Sequence, residues 1–284
     1  MTYSIVACDG ESGESGEVGV AAQSQAFNTA AAVAWARAGV GAIATQSFTD
    51  RRYGWRGLDL VADGARPADA LARLRAEDEV AELRQVGIVD TLGRTAQTTG
   101  AACISAAGHV AGDGWAAQAN LVESPRVWEA MGEAFEATSG PLALRLLAAL
   151  DAAEAAGGDW RGHCAAGILV VPFEAEPWDR VVDLRVEESE TPLEDLRRLV
   201  ERALAYRRWN RADGGRAELA AAEGLSREHV AWSPILDALD TDSFDDARRL
   251  YEELVAEEPR WATYARSLAR HPVAGAPIRS LLER

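Results

Sequence analysis

The chain begins Met1-Thr2-Tyr3-Ser4-Ile5-Val6-Ala7-Cys8. Removal of Met1 would leave a threonine carrying a hydroxyl and a free α-amine, a nucleophile and its general base on one residue. Such an amine has a reference pKa of about 7.7–8.0 and accepts a proton near neutral pH. The alternative is that Thr2 is a β-branched residue that opens a strand. Asn120 and Gln118, in Gln118-Ala119-Asn120, carry amides suited to donate to a developing oxyanion, or to satisfy a turn. His109 lies between Gly108 and Gly112, a setting that reads as a loop. It would serve there as acid, base or ligand, with Asp113 to orient it, or as a structural histidine. Gln46, Ser47, Arg37 and Asp9 are expected to line a pocket at the open end of the sheets, with Gln23 as a further substrate-binding candidate. Arg37 suits a bidentate contact to a carboxylate, or an ordinary surface ion pair.

Other chemistries are excluded. All 29 basic residues are arginine. A Schiff-base lysine, a phosphate-loop lysine and a lysine general base are therefore ruled out, because arginine stays protonated. His163 and Cys164 are adjacent, so on a strand they face opposite ways. Cys103 would meet His109 only if the fold brought them together. No Cys/His spacing matches a zinc site, and neither a metal nor another cofactor is expected. The Gly39-Val40-Gly41 stretch opens a strand instead of following one, so it is not a dinucleotide fingerprint. The loop from Gly10 to Gly16 reads as a solvated acidic turn.

The elements that must position these groups follow from periodicity. Residues 2–8 and 17–24 read as an antiparallel hairpin, with Thr2, Ser4, Val6 and Cys8 on one face and Tyr3, Ile5 and Ala7 on the other. Residues 27–37 read as a short helix or a packed connection, and 38–48 as a buried strand. Two helices are expected over 53–64 and from Pro67. Strands follow at 85–90 and 94–99, then at 101–107 and 115–121. Ser124-Pro125 and Gly140-Pro141 start two more helices, and Gly157-Gly158 ends the second. The last strands are 163–173 and 180–186. This order predicts an α+β fold of sandwiched antiparallel sheets with helices outside. Beyond about residue 191 only helical periodicity remains. It includes a pair over 244–268 that resembles a degenerate tetratricopeptide unit.

A chain of 284 residues with 48% hydrophobic and 26% charged content suits a globular protein. A net charge of −16 disfavours nucleic acid and anionic membrane surfaces. Three scattered cysteines do not make a disulfide framework and fit a reducing compartment. No basic-then-apolar leader and no membrane-length apolar run is seen, so a cytoplasmic protein is expected. A homodimer is the base-rate expectation.

The runs Thr2 through Asp9, Gly19 through Ser24, Trp35 through Phe48 and Tyr53-Gly54 resemble the prokaryotic domain-of-unknown-function 1028 family. So do Gly100 through Ile104, Ala107-Gly108-His109, Gly112-Asp113-Gly114 and Gln118-Ala119-Asn120. The likeness spans about residues 2–190. It implies membership of the N-terminal nucleophile (Ntn) hydrolase superfamily and a four-layer αββα sandwich. That domain would cover residues 1–190, with a helical C-terminal domain over 191–284. Some relatives carry a C-terminal appendage linked to peptidoglycan binding. The wider superfamily implies hydrolysis of an amide C–N bond in a small-molecule substrate, with Thr2 at the nucleophile position. The alternative is a non-catalytic scaffold that binds a small molecule or a protein partner. Many family members carry Gln-Ser-His where this chain has Gln23-Ser24-Gln25, and Asp-Asp-His where it has Glu187-Glu188-Ser189.

Overall fold

The computed structural model describes residues 2–10, 16–212, 215–226, 230–272 and 275–283. Two compact units divide the chain, Met1–Val200 and Glu201–Arg284.

The first unit opens with a hairpin, β1 (Thr2–Asp9) and β2 (Glu17–Ser24). A short helix, α1 (Ala30–Val33), leads to β3 (Ala34–Arg37) and β4 (Gly41–Ser47). The stretch expected to be a helix or a connection thus holds both a helical turn and a strand. The strand forms because Ala34–Arg37 pairs with the start of β4. Two helices follow, α2 (Arg52–Ala62) and α3 (Pro67–Ala76). Then come β5 (Arg84–Asp90), β6 (Thr95–Thr99), β7 (Gly108–Gly112) and β8 (Trp115–Asn120). Helices α4 (Arg126–Ala137) and α5 (Leu142–Ala155) precede β9 (Ala165–Pro172) and β10 (Val182–Val186).

Residues 101–107 do not form the expected strand; the strand begins at Gly108. Here the chain crosses from one sheet to the other and leaves both ladders. The amides of Ala101 and Ala102 turn to Glu82 instead, at 2.8 and 2.9 Å.

The strands make a six-stranded sheet, β10-β9-β2-β1-β8-β7, and a four-stranded sheet, β3-β4-β5-β6. Every pairing is antiparallel. Helix α5 lies on β1 and β2, and α4 on β7 and β8. On the other face of that sheet, β1 and β2 pack against β4, and β8 packs against β5. Helices α2 and α3 cover the outer face of the four-stranded sheet.

The seam between the sheets is built from small apolar groups, among them Val6, Val20, Ala22, Ala42, Ala44, Val89 and Ala116. Alanine and valine let two backbones approach without large side chains between them. Under α2 and α3 the core is bulkier, with Ile43, Tyr53, Leu58, Leu71, Leu74 and Ile88. Helix α5 sits close on β2 because Gly19 lacks a Cβ. One placed there would fall 2.9 Å from Val170 and 3.1 Å from Leu146.

The second unit is helical. It begins within α6 (Pro192–Arg211) and continues through α7 (Arg216–Ala222), α8 (Ser233–Asp240), α9 (Phe244–Glu257), α10 (Arg260–Leu268) and α11 (Gly275–Glu283). The expected helix pair over 244–268 corresponds to α9 and α10. Trp232 organises its core, stacked on Trp261 at 6.0 Å and edge-on to Tyr264 at 5.2 Å. No described helix is long and apolar enough to cross a membrane.

Leu146 is fully buried between α5 and the six-stranded sheet. Leu146→Ala is expected to cost about 2–5 kcal/mol, read as a lower urea midpoint with an unchanged m-value.

Candidate functional site

At the end of the sandwich where β1 begins, the apolar seam becomes polar. Alternation along β1 turns Ser4 and Val6 toward the four-stranded sheet and Tyr3 toward α5. Ser4 accordingly bonds Gln46, while the Tyr3 hydroxyl donates to Glu154. Strand register then collects the remaining groups. Asn120 lies opposite Thr2, and Gln118 lies opposite Ser4. His109 lies opposite Gln118. From the facing sheet, Gln46 and Thr99 both lie opposite Gln85. Directly paired residues share a face, so these groups converge.

All are bonded to one another. The Ser4 hydroxyl donates to Gln46 Oε1 at 2.6 Å. Gln46 Nε2 donates to Gln85 Oε1 at 2.7 Å and to the Thr2 carbonyl at 2.9 Å. Asn120 Nδ2 donates to the same Gln85 oxygen at 2.9 Å and to the Thr2 carbonyl at 3.4 Å. Gln118 Nε2 reaches Ser4 Oγ and the Ala44 carbonyl, both at 3.3 Å. Gln46 and Gln85 are fully buried, and Gln118, Asn120 and Thr2 nearly so. The Thr2 carbonyl is therefore gripped by an amide from each sheet.

The network reaches a cleft through one side chain. Gln85 Nε2 lies 2.9 Å from the Ala119 carbonyl and 2.9 Å from Thr99 Oγ1. The Thr99 hydroxyl in turn lies 2.8 Å from His109 Nδ1. A hydroxyl that accepts from the Gln85 amide has its own proton free to donate to Nδ1. That arrangement leaves a neutral imidazole with its proton on Nε2. Burial acts in the same direction, lowering the His109 pKa below its ordinary value. His109, Cys103, Ser105 and Trp128 line the cleft, whose volume is about 460 Å³. Gly108 lets the Trp128 indole form one wall, since a Cβ there would fall 2.5 Å from the ring.

Several expected placements are corrected. His109 belongs to strand β7, not to a loop, and its ring is bonded by Thr99. Asp113 follows the far end of β7, in the turn to β8. Gln23 lies opposite Tyr3 and so faces α5, on the other side of the sheet from Gln46, Gln118 and Asn120. Its amide has no hydrogen-bond partner among the described residues. Arg37 lies opposite Gly41, at the other end of β4 from Gln46 and Ser47, and pairs with Asp59 at 2.7 Å. Asp9 ends β1 and pairs with Arg145 at 3.2 Å. Ser47 closes β4 with a left-handed φ of 70°. Cys103 and His109 do line one cleft, although the Cys103 thiol donates to the Arg84 carbonyl at 3.4 Å. Met1 and residues 11–15 of the acidic loop lie outside the described residues.

Gln85 and Thr99 were missed as site residues. The available signal was a long polar amide at an inward position of an otherwise apolar strand, Gln85-Val86-Gly87-Ile88-Val89.

A second polar cluster lies on the helix-facing side of β1. Glu154 accepts from the Tyr3 hydroxyl at 2.5 Å and lies 2.9 Å from His163 Nδ1. His163 Nε2 lies 2.6 Å from the Glu190 carbonyl. Both ring nitrogens face acceptors, which favours the imidazolium. The Glu154 carboxylate and then the Glu190 carbonyl raise the His163 pKa above its ordinary value.

Two outcomes are expected. Gln85→Ala leaves the Gln46 and Asn120 amides without their shared acceptor, at about 1–3 kcal/mol for each unsatisfied group, measurable by urea denaturation. His163 has a raised folded pKa, so its stabilisation is complete below the unfolded value of about 6.5 and lost as pH rises through the folded value. The thermal midpoint of the wild type should thus exceed that of His163→Gln most near pH 6, with the gap shrinking toward pH 8.5.

The chain matches the family model described as "Family of unknown function (DUF1028)" over residues 2–196. It is also similar to a solved structure, protein SPO2555 from Silicibacter pomeroyi, assigned to the same family model. The two share 31% identity and a TM-score of 0.64, over 71% of this chain and 85% of that one. A search of curated proteins finds no match. The family match spans more than half of the chain and includes every strand of both sheets, so the chain belongs to the family of unknown function DUF1028.

Proposed function

We propose that the first unit is an Ntn-type hydrolase domain that cleaves an amide bond in a small molecule, with Thr2 as the nucleophile. The layer order supports this reading: a helix pair, two facing antiparallel sheets and a second helix pair. The observation that carries it is the double grip on the Thr2 carbonyl by Gln46 and Asn120. A nucleophile must be held within a fraction of an ångström of its attack position, and a main-chain clamp on its own residue does this.

In the proposed reaction Met1 is first removed. Thr2 Oγ attacks the substrate carbonyl while the Thr2 α-amine takes the hydroxyl proton. The amine returns that proton to the leaving nitrogen as the C–N bond breaks, leaving an ester on Thr2. Water, deprotonated by the same amine, then hydrolyses the ester. Asn120 is assigned a positioning role here. Its amide hydrogens point to Gln85 and the Thr2 carbonyl, so backbone N–H groups are left to hold the oxyanion. The cleft beside His109 connects to this corner through Thr99 and Gln85.

A second reading, a ligand-binding scaffold without turnover, is favoured by the burial of Thr2, which is 6% exposed. Intact mass and a screen of small amides separate the two. The hydrolase reading expects loss of Met1, an acyl adduct on Thr2 and a fall in kcat on the order of 10³-fold or more in Thr2→Ala. Retained Met1, or undiminished turnover in Thr2→Ala, would sink it.

A further inference from the structure

Residues 157–164 link α5 to β9 and cross the end of the sheet from which β1 starts. Asp159 forms an isolated antiparallel bridge with Val122. Val122 lies two residues past Asn120, the partner of Thr2. Asp159 therefore lies beside the chain just past the end of β8, beyond the left-handed Leu121 (φ 55°), at the end of the sheet where β1 starts. On the other flank of β1, Asp159 Oδ2 accepts from the Gln25 amide at 3.2 Å. Gln25 lies two residues past Gln23, the partner of Tyr3, and so is level with a point one residue beyond Thr2. The carboxylate is thus held beside Gln25, at the level of the residue that precedes Thr2.

We infer that Asp159 is the carboxylate that receives the Thr2 α-ammonium when Met1 is gone. The inference rests on the reading of Thr2 given above and names the group that would orient its amine.

The site is built for an anion. The Asp159 side chain is fully buried. Its Oδ1 accepts from the Arg161 amide at 2.8 Å, and Arg161 Nη2 lies 3.3 Å from Oδ2. These contacts fix the carboxylate, yet the guanidinium is 43% exposed. Gly157 and Gly162 flank the crossing with φ of 118° and 95°, which lets the chain turn over the strand ends. The other charged or titratable groups facing this corner are Tyr3 on β1, Glu123 after Val122, with its carboxylate against Gly157, Glu154 and Asp151 on α5, and His163 beside β9. Asp159, Glu154 and Asp151 all act on the Tyr3 hydroxyl, and His163 bonds Glu154. Of these, Asp159 is the one held between Val122 and Gln25, the continuations of the two strands that flank β1, while Glu154 binds the far end of the Tyr3 side chain.

A carboxylate within about 4–6 Å favours the charged form of an amine. It would keep Thr2 protonated to higher pH than a free threonine and point the nitrogen along the strand. The amine becomes a base only as pH rises through this elevated value.

The absence of lysine makes the test direct, because the α-amine is the only aliphatic amine in the chain. Protein trimmed by methionine aminopeptidase, and verified by intact mass, is trace-acetylated with acetic anhydride across pH. The single labelled amine is quantified by mass spectrometry. The expected amine pKa lies above the ordinary range of about 7.7–8.0. It should fall by about one unit or more in Asp159→Asn and stay in place in Glu154→Gln. Asparagine retains an acceptor for the Gln25 amide, and circular dichroism checks its fold. If Asp159→Asn does not fold, the wild type decides, and a pKa at or below the ordinary range overturns the assignment. An equal pKa in wild type and Asp159→Asn, or a larger shift in Glu154→Gln, also overturns it. None of these readouts needs turnover. Failure of Asp159 therefore leaves Thr2 catalysis open, and an inert Thr2 leaves the ammonium contact measurable.

Discussion

The side-chain amide of Gln85 joins the two sheets where β1 begins. Its oxygen accepts from Gln46 and Asn120, and its nitrogen reaches the Ala119 carbonyl and the Thr99 hydroxyl. A buried amide in an apolar seam is costly unless its hydrogen-bonding capacity is met. That requirement sets the rest of the corner. Gln46 must point across the seam, Asn120 must lie beside Thr2, and Thr99 must stand between Gln85 and His109. The position of the Thr2 carbonyl follows from these demands.

The apolar part of the seam makes such a network feasible. Alanine and valine at Val6, Ala22, Ala42, Ala44 and Ala116 bring the sheets close enough for amides to span the gap directly. Larger side chains would hold the sheets further apart. Bulk is placed instead under the outer helices, in Tyr53, Leu58 and Leu74 on one side and Leu146, Leu147 and Phe135 on the other. The small-residue seam and the large-residue outer layers are thus two parts of one packing solution. The two faces of β1 divide in the same way, with Ser4 in the inter-sheet network and Tyr3 tied to Glu154 under α5.

Much of this was legible in order of elements. Alternation placed Thr2 and Ser4 on one face, and Ser4 indeed bonds across to the facing sheet. Proline and glycine marked the starts of α3, α4 and α5. The site was less legible. Gln46, Gln118 and Asn120 were named but given substrate or oxyanion roles, whereas their amides bond one another's strands. Gln85 and Thr99 carry no motif, and their importance comes from what faces them. Arg37 and Gln23 were grouped with Gln46 by chemical type. Register places Arg37 at the other end of β4 and Gln23 on the opposite face of β2. His109 looked like a loop residue because glycines flank it. In β7 the absence of a side chain at Gly108 instead makes room for Trp128.

By itself the sequence determined the local features: a strand headed by Thr2, its two faces, the helix starts, and the absence of any amine other than the one at the N-terminus. These depend on backbone sterics, side-chain periodicity and composition, all read within a few residues. Only the tertiary structure decided which strands are neighbours. It set Asn120 beside Thr2, Gln85 across from both, and Asp159 against Val122 past the end of β8. Such contacts join positions far apart in the chain, 35 residues for Gln85 with Asn120 and 118 for Asn120 with Thr2. They are fixed by pairing register and by the need to satisfy buried polar groups, which no local pattern encodes.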